Sequence, residues 1–436
     1  MKLIKLLFLT AVMAATLISC SRIDSIIDSI GIFSDSSVKQ QYEPENTAEP
    51  YEFPASPAGF TSVDSSSYTG YVGLTKEQQF IYSAMYDAAQ NMNLSMFYVG
   101  ECSEKDISIA FQALSYDYPQ IIWLESTYGI VDDGGKMYVC FHDKKDGQYS
   151  YLFGSEWDRN AALNKMYSVI DAFVAENITA DMAQIDIEIA VHDWICGLVE
   201  YDETAADSIE NEDVDTKDYA NAWSAYGALV ENKAVCAGYS KAFQLVMNYL
   251  GIECVSIRAE SEEQMHLLDL VKIDGNWTYV DPTWDDTTVG SLRYAHDYFN
   301  LTYEQILQTH TIFPVWTELS DDEFDINNKF NVALPDAVSD EYGYYKVKSR
   351  IISSEDQFRQ KVLKLFYEAS RNKLDYIEAQ ITYCEPDYDT VSALVEKYDL
   401  FNDLRLYFGS IKSIDYGALH NGAIYLKVNK KYDFKK

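Results

Sequence analysis

The chain contains no Cys-x-x-Cys pair, no His-Glu-x-x-His and no glycine-rich phosphate loop. Without them no metal centre, nucleotide site or cofactor is expected. Asp213-Val-Asp215-Thr-Lys217-Asp218 begins like a calcium loop. It puts Lys where an oxygen ligand belongs and lacks the turn glycine, so it reads as a solvated loop. Positive charge is also scarce: 34 Lys and Arg stand against 69 Asp and Glu, for a formal net charge of −35. Such a surface repels phosphate backbones, so nucleic acid is not expected as a partner. Long apolar runs are missing too. Leu6–Leu17 is too short to span a bilayer, and no other stretch reaches that length.

What is present begins with a targeting pattern. Lys2 and Lys5 precede the Leu6–Leu17 run, and Leu17-Ile18-Ser19-Cys20 follows it. The tetrapeptide resembles a bacterial lipobox, which would make Cys20 the lipidated first residue. The competing expectation is an ordinary cleaved signal peptide. The resemblance implies a lipoprotein of the cell envelope, extracytoplasmic and held to a membrane by its N-terminal lipid. Seven cysteines occur in all, and six remain once Cys20 is set aside. Cys140, Cys196 and Cys254 lie in apolar runs and read as core thiols, so no disulfide framework is expected.

The 436 residues call for two or three domains, and 47% hydrophobic content is ample for packed cores. Residues 1–19 read as the signal peptide. Residues 20–73, rich in Ser, Asp, Glu and Pro, read as a disordered tether. Residues 74–157 form an α/β module. Thr75 caps a helix with Gln78 at its third position, and Phe80, Ile81, Ala84, Met85 and Ala88 make its apolar face. A strand (95–99), a second helix (104–116) and a strand pair (126–131 and 136–142) joined by Asp132-Asp-Gly-Gly follow. Residues 353–436 repeat this order, with strands expected at 375–383, 406–414 and 423–428. Two α/β modules are therefore expected around a central domain at 158–317, with 318–352 as a linker; two copies of one unit and a chance likeness of two small α/β units are the competing expectations. An acidic loop, 202–218, precedes the central segment.

That central segment carries Cys236, His266 and Asp281 in order. After Cys236 the apolar residues Tyr239, Ala242, Phe243, Val246 and Leu250 recur at helical spacing, and Gly251 ends the run. Cys236 thus falls at a helix N-terminus, where unpaired amides and the dipole favour a thiolate. Strands are expected at 254–258, 265–273 and 276–281, the last two joined by Asp274-Gly275. A two-residue turn there pairs Leu268 with Asp281 and puts His266 on the same face. A nucleophilic thiol, an imidazole base and an orienting carboxylate are the parts of a cysteine triad. His192 reads instead as a buried structural histidine, and His142, His296, His310 and His420 lie outside any constellation.

The stretches Ala225-Tyr-Gly-Ala-Leu-Val, Lys233-Ala-Val-Cys236-Ala-Gly-Tyr-Ser, His266 and Ile273-Asp-Gly-Asn-Trp-Thr-Tyr-Val-Asp281-Pro-Thr-Trp resemble the bacterial transglutaminase-like superfamily. The resemblance covers residues 180–300. It implies an α+β, papain-like core with a helix packed on an antiparallel sheet, flanked here by the two modules. It also implies Cys236–His266–Asp281 chemistry on a carboxamide or peptide bond of a protein or peptide substrate, through a thioester. An upstream residue assisting the oxyanion is implied as well; Asn221, Trp223 and Ser224 are the candidates. The family has an aromatic residue and Asn shortly after its His, where this chain has Leu267, Leu268 and Asp269. That departure motivates the alternative expectation, a catalytically silent surface binding module on the same fold.

Overall fold

The structure, a computed structural model, describes residues 57–59, 69–90, 96–125, 128–141, 144–145, 148–149, 156–208, 221–262, 264–286, 294–313, 315–319, 324–331 and 334–430. The signal peptide expected at 1–19, Cys20, most of the tether expected at 20–73 and most of the acidic 202–218 loop lie outside these residues; within the tether's bounds Thr69–Val72 is helical, a correction to that reading. The fold is α+β, with helices packed on mainly antiparallel sheets. No helix among the described residues is long and apolar enough to cross a membrane. The chain divides into two compact units, residues 1–272 with 309–335, and residues 273–308 with 336–436.

The first unit opens with α1 (Thr69–Val72) and α2 (Lys76–Gln90). The capping box is as expected: Thr75 Oγ1 accepts the Gln78 amide at 3.3 Å and Gln78 Oε1 accepts the Thr75 amide at 3.0 Å. β1 (Phe97–Gly100) and α3 (Glu104–Asp117) follow, the latter with a Ser103–Asp106 capping box. β2 (Gly129–Asp133) and β3 (Lys136–Cys140) close a hairpin whose two glycines have φ of 66° and 93°. Both positive angles belong to a turn that matches strand twist, and glycine adopts them without Cβ strain. β3 pairs with both other strands, giving the order β1-β3-β2.

Two short strands, β4 (Lys144–Lys145) and β5 (Gln148–Tyr149), lead to α4 (Glu156–Asn177) and α5 (Gln184–Leu198). β6 (Glu200–Tyr201) runs parallel to β7 (Lys233–Ala234), with α6 (Glu203–Ser208) between them. α7 (Cys236–Tyr249) ends in a Schellman motif. Ile252 N–H reaches Met247 O at 2.9 Å, Gly251 N–H reaches Asn248 O at 3.0 Å, and Gly251 has φ 76°. β8 (Cys254–Ser261) and β9 (Gln264–Ile273) pair antiparallel in unbroken register, with Ala259 opposite His266. In the second unit the chain turns at Asp274 (φ 47°) and Gly275 (φ 88°) into β10 (Asn276–Val280) and α8 (Pro282–Asp285), then α9 (Tyr303–Ile306). Back in the first unit, β11 (His310–Ile312) pairs with the far edge of β8. β12 (Val315–Leu319) and β13 (Phe324–Asn331) form an antiparallel pair where a linker was expected.

The second unit continues with α10 (Tyr344–Val347), β14 (Ile351–Ile352), α11 (Glu355–Arg371), β15 (Tyr376–Ile381) and α12 (Tyr388–Lys397). Here the structure corrects the strand expected at 406–414. Residues Leu400–Phe408 form a helix, α13, and only at Ile411 does β16 (Ile411–Ala418) begin. Leu400, Leu404 and Phe408 recur every four residues and turn into the core, which is helical spacing. Gly409, at φ 70°, then ends the helix. With β17 (Ala423–Lys430) the strand order is β14-β15-β17-β16, antiparallel except for β14.

Candidate active site

Cys236 is the first residue of α7 and is half-buried. Its approach is tightly built. Asn232 adopts φ 58° and its N–H reaches Gly227 O, five residues back, a wide turn of the kind concentrated at functional sites. Val235 N–H then bonds Ala222 O at 3.0 Å, which folds the 221–224 segment over the first turn of α7. Gly238 makes that approach possible. A Cβ there would meet Ala222 O at 2.6 Å and Ser224 O at 3.1 Å. The N-cap is Val235, which has no side-chain acceptor, and no acidic residue occupies the first turn. Neither a cap oxygen nor a carboxylate therefore competes with a thiolate for the positive end of the helix.

A buried polar ladder holds α7 on the sheet. Asn248 exchanges hydrogen bonds with the Cys254 backbone, accepting N–H at 2.9 Å and donating to C=O at 3.0 Å. One turn earlier, Gln244 Oε1 accepts from Ser256 Oγ at 2.8 Å. Another turn earlier, Ser240 Oγ lies 2.9 Å from Asp269 Oδ1 and 3.3 Å from Leu268 O. Ser256 pairs with Asp269 across β8 and β9, so Gln244 and Ser240 both meet the sheet at that level. Cys236 begins α7 one turn before Ser240, and His266 lies three residues before Asp269 on β9, opposite Ala259. His266 is half-buried. By strand alternation its side chain belongs to the face opposite Asp269.

Two residues of this site were not legible in advance. Asp269, fully buried, accepts the Ser240 hydroxyl, and Ser256 Oγ lies 3.1 Å from the same Oδ1. The three side chains keep a polar contact between the strands and the helix. A carboxylate within an apolar strand was the available signal. His310, read as outside any constellation, is brought by β11 to a ring-centroid distance of 5.3 Å from His266. Nothing local in the sequence signals that pairing.

Asp281 belongs to the second unit, where it is fully buried at the N-cap of α8. Its Oδ1 accepts the Thr283 and Trp284 amides, both at 3.1 Å. Those two hydrogen bonds fix the carboxyl plane. His192 is buried, as expected, with Nδ1 3.2 Å from Asp193 Oδ1 and Nε2 3.7 Å from Cys196 Sγ. Of the upstream candidates, Ser224 Oγ bonds Asn221 O at 2.8 Å, Trp223 is buried, and Asn221 Nδ2 bonds Glu231 at 2.6 Å.

The six described cysteines are all free. Burial, reinforced by Asp106 and Glu77, pushes the Cys102 thiol up to about 11. Burial with Asp269 and Glu188 raises Cys254 well above its ordinary value, and burial with Asp387 and Glu355 raises Cys384. These thiols are held in their unreactive form.

No family model matches the chain. Over 173 residues it is 23% identical to mouse Kyphoscoliosis peptidase, covering 36% of this chain and 25% of that protein. The chain thus spans about a quarter of the length of this curated relative. Among solved structures it is similar to a TGase (18% identity, TM-score 0.27, 39% of this chain and 47% of that one). A proposed cysteine protease from Cytophaga hutchinsonii is also similar (16% identity, TM-score 0.22, 34% and 41%).

Proposed function

We propose that this protein is an exported, lipid-anchored cysteine enzyme acting on carboxamide or peptide bonds of protein or peptide substrates. In this reading Cys236 is the nucleophile, His266 the base and Asp281 the group that orients His266. The single observation that carries it is a half-buried thiol opening α7 beside a half-buried imidazole on β9, with helix and strand tied by Ser240 to Asp269. The tight turn at Asp274-Gly275 supports the register on which Asp281 was chosen. The partial likeness to a mouse peptidase points to the same class. Lipidation at Cys20 and residence in the cell envelope rest on the N-terminal pattern.

The chemistry is a two-step acyl transfer. His266 takes the Cys236 proton, and the thiolate attacks the carbonyl carbon. The first-turn amides of α7 stabilise the oxyanion. As the intermediate collapses, the C–N bond breaks and His266 returns the proton to the leaving amine. Water or a second amine then attacks the thioester with His266 as base, and the thiolate leaves. We favour water, so hydrolysis over crosslinking.

A peptide library incubated with and without a primary amine, and read by mass spectrometry against Cys236→Ala, tests this directly. Mass changes that vanish with Cys236→Ala are expected, and incorporation of the amine distinguishes transfer from hydrolysis. In parallel, iodoacetamide near neutral pH is expected to label Cys236 at least about tenfold faster than Cys102, Cys254 or Cys384, with His266→Ala abolishing the difference. Equal, slow labelling of all six would instead leave a binding module on this fold.

A further inference from the structure

In the first unit, β8 lies between the two strands that carry His266 and His310. Its Ala259 pairs with His266 on β9 and with Ile312 on β11, and its Ser261 pairs with His310. Paired residues share a face of the sheet, and so do residues two apart. Both imidazoles therefore stand on the face of β8 that carries Ala259 and Ser261. Strands two places apart in a sheet are separated by about 9–10 Å. The ring centroids are only 5.3 Å apart, at an interplanar angle of 45°. The rings thus lean toward each other across β8, and a nitrogen of one comes within 4.8 Å of a nitrogen of the other. Small side chains beneath them allow that approach: Ala259, fully buried, offers one methyl group, and the buried Ser261 a short hydroxyl arm.

His310 is the fixed member of the pair. It is 3% exposed, whereas His266 is half-buried. Its Nδ1 lies 2.8 Å from Thr309 Oγ1, a contact that satisfies the buried imidazole and sets its tilt. Ser261 Oγ donates to Thr309 O at 3.4 Å, and all three residues of β11 pair with β8. His266 is the third residue of β9. An imidazole on a strand has several staggered orientations to choose among, and a ring packed against it selects one. The spacing and tilt here are those at which aromatic rings attract.

We propose that His310 is a positioning residue for His266. The edge strand β11 presents a buried ring as a wall, and the wall holds the His266 imidazole in the orientation that takes the Cys236 proton. The inference rests on the reading of His266 as the base. A base that swings spends part of its time away from the thiol, and the rate falls with the fraction of time it is in place. The wall requires a flat ring rather than a ring nitrogen, so a phenyl group serves in its stead.

The test uses the full chain and two readouts: the pH profile of Cys236 alkylation by iodoacetamide, and the NMR resonance of the His266 ring. His310→Ala is expected to slow alkylation near neutral pH about tenfold or more and to move the profile up toward the ordinary thiol range. The His266 resonance is expected to shift or broaden in the same variant. His310→Phe is expected to recover most of the rate, the profile and the resonance. A purely structural role would lower Tm and leave the profile of the folded molecules where it was. If His310→Ala folds with the wild-type profile and an unchanged His266 resonance, the wall is overturned. If His310→Phe behaves as His310→Ala does, ring packing is overturned as its basis. Should His310→Ala not fold, His310→Leu fills the space without a flat face; the same slowing is expected of it, and wild-type behaviour overturns the wall. If wild-type Cys236 labels no faster than Cys384, the reading of His266 as the base fails, and the His266 resonance still decides whether His310 holds the ring.

Discussion

The region at 76–140 runs helix, strand, helix, hairpin, and that at 351–430 adds a leading strand and the extra helix α13 to the same order; in both the last strand pairs between the other two: β1-β3-β2 and β15-β17-β16. Their polar fastenings share nothing. In the first, the end of α3 does the holding. Tyr116 O accepts Gln244 Nε2 at 2.9 Å from the helix that begins at Cys236, and Asp117 takes the Gly70 and Tyr71 amides and the Tyr82 hydroxyl. In the second, the holding group is Glu378 on the sheet's interior strand, which bonds His296 and Tyr345, with the β16–β17 turn bonding Asp297. The first module therefore grips the helix that carries Cys236, and the second grips the segment whose Tyr298 carbonyl accepts the Asp281 amide. Topology is set by apolar periodicity and tolerates many sequences. A fastening needs one donor opposite one acceptor, and the two modules meet that need with different groups.

The sharpest way to break the comparison is Glu378→Ala. It leaves the His296 ring and the Tyr345 hydroxyl buried without this acceptor, which costs about 1–3 kcal/mol for each group. A chevron or denaturant midpoint measures it, and a cost under about 1 kcal/mol would show that the second module does not depend on this carboxylate. Gln244→Ala comes next. It removes the donor to Tyr116 O and the acceptor for Ser256, for about 1–3 kcal/mol in the same assay.

The smallest effect at fixed pH is that of Asp117→Asn, and its information lies in the slope. Burial raises Asp117 from 3.8 to about 7 despite its three donors. Its stabilisation is therefore complete below about pH 4 and fades as pH rises through 7. Asn stays neutral, so the variant's Tm is expected to start slightly lower in acid and converge on the wild type by about pH 8. Parallel curves would mean Asp117 is ionised throughout and only its geometry matters.

Much of this was legible residue by residue. The Thr75–Gln78 capping box, the glycine turn at Gly134-Gly135, the Cys236 helix start and the Gly251 stop all appear as read. Each is a local interaction closed within a few residues. The strand expected at 406–414 failed because Leu406 and its apolar neighbours satisfy two periods over so short a window. Only packing of Leu400 and Leu404 on the module core selects the helix. The strands at 315–331 were missed because no turn signal marks them.

For the candidate site, sequence by itself determined the identity and order of Cys236, His266 and Asp281. It also determined that the thiol opens a helix and that a tight turn separates the other two. Those facts follow from side-chain period, capping chemistry and the φ > 0 tolerance of Asp-Gly, all of them local. Tertiary structure alone decided that Ser240 anchors to Asp269, that His310 comes beside His266, and that Asp285 takes the Tyr298 amide. Such contacts join residues 13 to 44 positions apart, and a chain's local preferences are indifferent to them until packing brings the partners together and burial makes an unpaired polar group costly.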